Sequence, residues 1–392
     1  MHTRLTPNAV LPADAAAATL VGRAWIPALG GPSPVLIRGD AVFDISSVAP
    51  TASELYASVD PVAALRAADA LPTVGPVADL LSNSNAAARD EKKPWFIAPC
   101  DLQPIKASGV TFVSSMLERV IEEQARGDPA RAEATRRAIT AVIGDNLSRV
   151  KPGSAEAAEL KKVLLAQGAW SQYLEVGIGP DAEIFTKTAP MASVGVGADV
   201  GILATSSWNN PEPEIVLVVN PRGEVVGAAL GNDVNLRDYE GRSALLLGKA
   251  KDNNASCAIG PFVRLFDASF TMDDVRRADI ALRVDGTDGF ALNAVSSMSK
   301  ISRDPLEIVA NAIGPNHQYP DGVMLFLGTM FAPTQDRFGP GQGFTHAVDD
   351  LVSVATPKLG ALVNRVRHAD QIAPWTFGLG ALMRNLGQRK LL

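Results

Sequence analysis

Short runs of β-branched and aromatic residues bounded by turn-forming clusters occupy both ends of the chain, and a charged, alanine-rich stretch separates them. Runs at 19–26, 34–38 and 41–45, broken by Gly-Gly-Pro and Gly-Asp turn signals, predict a small antiparallel sheet. Helical spacing follows at 51–70 and 76–90. The polar segment Asp90-Glu91-Lys92-Lys93-Pro94 has the composition of a linker, so a domain boundary is expected near residue 95. Between Gly109 and Trp170, helical periodicity recurs over 116–124, 130–143 and 154–168, and Glu118, Glu122 and Glu123 lie on the first of these. Such a charged excursion suits a lid that packs lightly and moves, although a plain surface insert has the same pattern.

The chain is organised around residues 207–261. Ile215 to Val219 is a continuous aliphatic run, as in a buried strand; Asn220-Pro221-Arg222-Gly223 is a turn, and 224–230 a returning strand. Glu212 and Glu214, two apart, share one face, and the return of the hairpin carries Asp233 toward them. Three carboxylates with no His or Cys suit Mg²⁺, Mn²⁺ or Ca²⁺ better than Zn²⁺. A solvated acidic edge on an ordinary hairpin would show the same residues. Further on, a helix at 273–278, a strand at 280–284, a helix opening at Ser302 to Pro305 and a buried strand at 322–329 keep the remainder β-rich. Strands at 350–356 and 359–366 follow, and the tail after 367 is expected to be peripheral.

Composition narrows the function classes. At 392 residues, 47% hydrophobic and with a formal charge of −6, the chain has material for a sizeable core and lacks the basic surface of a nucleic-acid binder. No apolar run approaches the roughly 20 residues of a membrane span, and the start lacks the apolar core of a signal peptide, so a cytoplasmic protein without membrane contact is expected. Two cysteines, Cys100 and Cys257, and four scattered histidines argue against a disulfide framework, zinc and haem. Gly177-Ile178-Gly179 and Gly195-Val196-Gly197 do not complete a dinucleotide-binding loop, and neither a P-loop nor a nucleophile elbow occurs.

Glu212-x-Glu214, Gly231-Asn232-Asp233, Lys251 ten residues before Pro261, Gly328-Thr329 and Leu359-Gly360-Ala361-Leu362-Val363-Asn364 together resemble the fumarylacetoacetate hydrolase family over roughly residues 109–366. The resemblance implies an α+β, β-rich fold: a mixed β-sandwich roll over 96–392, a helical lid at about 110–170 and a small N-terminal domain over 1–95. It also implies Mg²⁺, or Mn²⁺, held by Glu212, Glu214 and Asp233, with Lys251 as the active-site lysine, in a homodimer or homotetramer. Family hydrolases carry G-x-N-Y followed by a His and, three residues on, a Glu. Here residues 109–118 place Ser115 at the His position and keep Glu118. A hydroxyl does not replace imidazole as a base near neutral pH.

The family also contains dehydratases of 2-keto-3-deoxy sugar acids, and the chain is most similar to those acting on 2-keto-3-deoxy-D-xylonate or D-arabinonate. That resemblance implies dehydration of the pentonate to 2,5-dioxopentanoate. On this view Lys251, its pKa depressed by the ion and by burial, takes the C3 proton or holds the enolate oxygen. Glu118 protonates the departing 4-hydroxyl, with Ser115 beside it. Lys187, Arg237 and Thr329 are candidates to bind the sugar acid, and an Arg237–Asp238 pair is the structural alternative. Hydrolysis of a 2,4-diketo acid and non-catalytic binding of a sugar acid are the other two functions this sequence accommodates.

Overall fold

The computed structural model describes residues 5–143, 150–166, 168, 170–331 and 333–392. Residues 144–149, 167 and 169 of the expected lid lie outside the described residues.

The expected hairpin forms and sits inside an 11-stranded sheet. Pro213–Val219 pairs antiparallel with Val225–Asp233, Glu214 opposite Gly231. On one side Val225–Asp233 pairs with Cys257–Leu265. On the other, Pro213–Val219 pairs with Val323–Phe326, which runs parallel to Ile105–Gly109, and that strand pairs with Glu183–Thr188. Pairing thus gathers the metal-candidate hairpin, the Gly109 entry to the lid, the strand beginning at Glu183 and the strand Val323–Phe326 that leads to Gly328 into one sheet.

The pleat assigns the hairpin's side chains to two cores. Ile215, Leu217 and Val219 enter a core shared with a five-stranded sheet through Ile280, Leu282, Val284, Val352 and Val354. Val216 and Val218 enter a second core closed by Leu55, Tyr56, Val62 and Leu65 of short helices. With both faces covered, the strand has no polar alternation, which explains its unbroken aliphatic run. The lid helices Val113–Ala125, Pro129–Ile143, Ala155–Ala166 and Gln172–Ile178 keep a small core of their own around Met116, Val120, Ile121, Leu164 and Leu174. The architecture is the mixed α+β sandwich expected from the sequence, and no helix among the described residues is long and apolar enough to cross a membrane.

Three expectations change. The small N-terminal sheet is not free-standing: Leu20–Ile26 pairs with Cys257–Leu265, Leu20 opposite Arg264, so Gly31–Arg38 and Ala41–Asp44 extend the large sheet. A period of two cannot reveal which edge a strand joins. The predicted helix over 51–70 is two, Ala52–Ala57 and Pro61–Ala67, because the Asp60 side chain accepts from the Ala63 amide at 2.8 Å and Pro61 starts a new N-terminus. The tail is not peripheral: its helix Leu379–Gln388 buries Leu382 and Leu386, and Asn385 Nδ2 donates to Leu29 O at 2.8 Å.

A folding boundary near residue 95 stands as a proposal, and Phe262 tests it. Its ring packs so closely over Gly22 that a Cβ there would meet it at 3.0 Å, and it meets Phe96 edge-on at 5.0 Å between centroids. Phe262→Ala should cost about 3–5 kcal/mol, read as one urea transition of the whole chain moving to lower midpoint. Two transitions, with only one displaced, would show residues 1–95 to be an independent unit.

Candidate active site

Glu212, Glu214 and Asp233 converge, one oxygen from each lying within 4.8 Å of the others, and all three are buried. The backbone fixes them. Asp233 N donates to Glu212 O at 3.0 Å, Glu212 N donates to Asn232 Oδ1 at 3.0 Å, and Gly328 N donates to Glu214 Oε2 at 2.7 Å. Gly328 holds a φ of 93°, and a Cβ there would overlap Thr111 Oγ1, so the glycine lets the amide reach Glu214.

Cations surround the triad. Lys251 Nζ lies 2.5 Å from Glu212 Oε2 and 3.0 Å from Asp233 Oδ2. Lys187, fully buried, lies 2.6 Å from Asp233 Oδ1, and Arg119 on the lid helix Val113–Ala125 pairs with Glu212 Oε1. Ser108, Gly109, Ser115, Glu183, Phe185, Glu240 and Thr329 complete a cavity with about 20 Å³ of free space, room for about one water. Five carboxylates (Glu183, Glu212, Glu214, Asp233, Glu240) therefore meet three cations, Arg119 and Lys251 in the lining and Lys187 behind Asp233. The deficit shows in the acids. Burial, then repulsion by Asp233 and Glu212, pushes Glu214 well above the ordinary carboxylate range. Burial raises Glu240 against the pull of Arg119, and burial and Glu240 push Glu183 up to about 7. Asp233 is depressed, because Lys187 and Lys251 outweigh its burial. Asp233 is thus held by a lysine at each oxygen, Lys187 at Oδ1 and Lys251 at Oδ2. An all-oxygen donor set and a shortage of positive charge fit a hard divalent ion.

The structure moves several expected site residues. Glu118 does not line the cavity: Arg136 donates to both its oxygens at 3.0 and 2.8 Å, and Arg237 adds a third bond at 2.9 Å. These arginines outweigh burial and hold its carboxyl below the ordinary range, which favours the carboxylate over the proton-donating acid expected of it. At Lys251 burial acts in the expected direction. Burial opposes its charge, but Asp233, Glu212 and Glu240 prevail and raise it above the usual lysine value. Arg237 does not pair with Asp238; it bonds Glu122 at 2.6 Å and stacks on Trp208 at 4.3 Å, while Asp238 accepts from Ser206 Oγ at 2.8 Å. Lys187 sits behind Asp233 and donates to Val234 O at 3.0 Å, out of the cavity. Ser115 lines the cavity, but its hydroxyl donates to Phe112 O at 2.9 Å. Thr329 also lines it and donates to Phe331 O at 3.0 Å.

Arg119, Glu183 and Glu240 are additions. Glu183, Phe185 and Lys187 alternate along one strand and share a face, a signal visible in the sequence. The Glu183 carboxylate lies over Gly109, where a Cβ would overlap Oε2. Because Glu183 is raised from an ordinary value of about 4.3 to about 7, folding favours its protonated form. Its contribution to stability is complete below the unfolded value and is lost as pH rises through about 7. In EDTA-treated protein, melting temperature should fall over that interval, and Glu183→Gln should flatten the slope; an unchanged slope would show that Glu183 titrates normally.

No protein-family profile matches the chain. Two curated relatives do. The 2-dehydro-3-deoxy-D-arabinonate dehydratase of Saccharolobus solfataricus is 28% identical over 193 residues, 48% of this chain and 60% of that protein. A "probable 2-keto-3-deoxyxylonate dehydratase" of Haloferax volcanii is 28% identical over 194 residues, 50% and 63% of the two chains. The match spans less than two thirds of either relative. Solved structures of a 2-keto-3-deoxy-D-arabinonate dehydratase align over 89% of this chain and 99% of theirs at 19% identity, with TM-scores of 0.60 for the apo form and 0.58 for the complex with magnesium and 2,5-dioxopentanoate. The fumarylacetoacetate hydrolase of Exiguobacterium antarcticum aligns over 90% and 100% of the two chains, at 15% identity and a TM-score of 0.53. The chain therefore carries the fumarylacetoacetate-hydrolase fold and is a homologue of 2-keto-3-deoxy-pentonate dehydratases.

Proposed function

We propose that the protein is a Mg²⁺-dependent hydro-lyase, with Mn²⁺ as a substitute, that converts a 2-keto-3-deoxy-pentonate to 2,5-dioxopentanoate. The observation that carries this proposal is the meeting, in one small cavity, of a three-carboxylate site, a charged Lys251 and a protonatable Glu183, with Ser115 where hydrolases of this fold place imidazole. The divalent ion, held by Glu212, Glu214 and Asp233, would supply Lewis acidity toward the substrate's carboxylate and 2-keto oxygens.

The chain's own groups manage protons and charge. Lys251 Nζ, kept cationic by its carboxylate neighbours, stabilises negative charge developing on the 2-oxygen. Glu183, with a pKa near 7, takes the C3 proton as a carboxylate and delivers it to the 4-hydroxyl as the C4–O bond breaks, releasing water. The remaining hydroxyl-bearing alkene then shifts a proton from C5 to C3, giving the C4–C5 enol, which loses its hydroxyl proton and gains one at C4 to become the aldehyde. The Ser115 hydroxyl, engaged with Phe112 O, leaves no group at that position to activate water, which disfavours hydrolysis. Two buried free cysteines suit a reducing cytoplasm, and Val295, exposed on the edge strand Ala291–Ser297, suits a homodimer or homotetramer.

Incubation with Mg²⁺ and racemic 2-keto-3-deoxypentonate, followed by NMR, should yield 2,5-dioxopentanoate; pyruvate with a two-carbon aldehyde would overturn the dehydratase assignment. Glu183→Gln should lower kcat by about 10²- to 10⁴-fold while leaving Mg²⁺ affinity within a few-fold. Glu212→Ala should instead abolish Mg²⁺ binding, and retained affinity would remove it from the ligand set.

A further inference from the structure

Arg119 belongs to the lid by sequence and to the metal-candidate site by contact. It is buried on Val113–Ala125, its Nη1 lies 2.6 Å from Glu122 Oε2 and 2.9 Å from Glu240 Oε2, and its Nη2 pairs with Glu212 Oε1. Both oxygens of Glu212 are therefore engaged by side-chain cations, Arg119 from the lid and Lys251 from the sheet side. Glu122 continues the chain of contacts outward to Arg237, which also holds Glu118, so Arg119 is the inner end of an ion-pair path fixing two carboxylates of the lid helix. The cavity beneath has about 20 Å³ of free space, too little for a five-carbon acid while this helix stays seated.

We propose that Arg119 is a positioning residue that latches the lid onto Glu212 in the metal-free protein, and that a divalent ion competes with it for Glu212 and so releases the helix for substrate entry. The inference rests on the metal site proposed above. Like charges oppose each other in a buried site: an ion held by Glu212 repels a guanidinium on the same carboxylate, and each weakens the hold of the other. Glu122, three residues along the same helix, stays with Arg119 when it leaves Glu212, so the guanidinium keeps a carboxylate partner, while the contact with Glu240, which lies outside the lid, is given up with Glu212. Lys251, on the sheet side, has no lid to release, which makes Arg119 the group that couples ion binding to helix position.

Titration calorimetry with MgCl₂ and hydrogen exchange of residues 113–125 test this on EDTA-stripped protein. Mg²⁺ should accelerate exchange of this segment in the wild type, opposite to the protection a ligand usually confers. Arg119→Gln should bind Mg²⁺ about tenfold tighter, with fast exchange that Mg²⁺ no longer alters, whereas Arg119→Lys, which keeps the charge, should restore wild-type affinity. A merely structural arginine predicts the reverse, a disordered site that binds Mg²⁺ more weakly. Exchange that slows or stays constant in the wild type overturns the latch even if the variants fail to fold, and so does Arg119→Gln affinity at or below wild type. A wild type that takes up no Mg²⁺ removes the metal site itself, and the latch with it.

Discussion

Three carboxylates buried against one another are the constraint on which the rest of this structure depends. With all three ionised at separations of up to 4.8 Å, each pair would repel by at least about 3 kcal/mol at an effective dielectric near 20. That strain is tolerated because the hairpin and its neighbours fix the donors through backbone hydrogen bonds and surround them with Lys187, Lys251 and Arg119. The compensation is incomplete, as the raised Glu214, Glu240 and Glu183 attest. A divalent ion brings the charge the site lacks, so the same repulsion that burdens the cluster becomes affinity for the ion.

The large sheet and the lid divide the work. Strands hold Glu214, Asp233 and Glu183 in register, and Glu212 just precedes the first of these strands, so the distances among them follow from pairing and are insensitive to the surface. The lid contributes Arg119 and Ser115 from a helix with its own small core, and it closes the cavity to about the size of one water. A rigid donor set beneath a separately packed cover lets the cover move without disturbing the ligands.

The hairpin was legible because its pattern is local: an aliphatic run, an Asn-Pro-Arg-Gly turn and acidic residues at fixed offsets determine which side chains converge. The lid was legible as helices, but its phase was not. Glu118 and Arg119 are neighbours set about 100° apart around the helix axis; one turns toward Arg136 and Arg237 and the other into the site. Spacing along one helix cannot state which of two adjacent charges faces the sheet, so the arginine partners of Glu118 were not legible. Lys187 illustrates the same limit on a strand. Its alternation with Glu183 and Phe185 was visible, but its depth behind Asp233 depends on the crossing of distant segments. Arg237 and Asp238 looked like a pair in sequence and found separate partners once Trp208 and the lid were in place.

The central claim is that this acidic cluster is a metal site whose ligands are the three hairpin carboxylates. Anomalous diffraction from crystals soaked in Mn²⁺ tests it most directly. One strong peak at about 2.1 Å from an oxygen of each of Glu212, Glu214 and Asp233 is the expected result. A peak bound elsewhere, or none at saturating Mn²⁺ with Lys251 and Arg119 still on Glu212, would mean that the lysines and Arg119 are the permanent counter-ions of a structural acidic cluster.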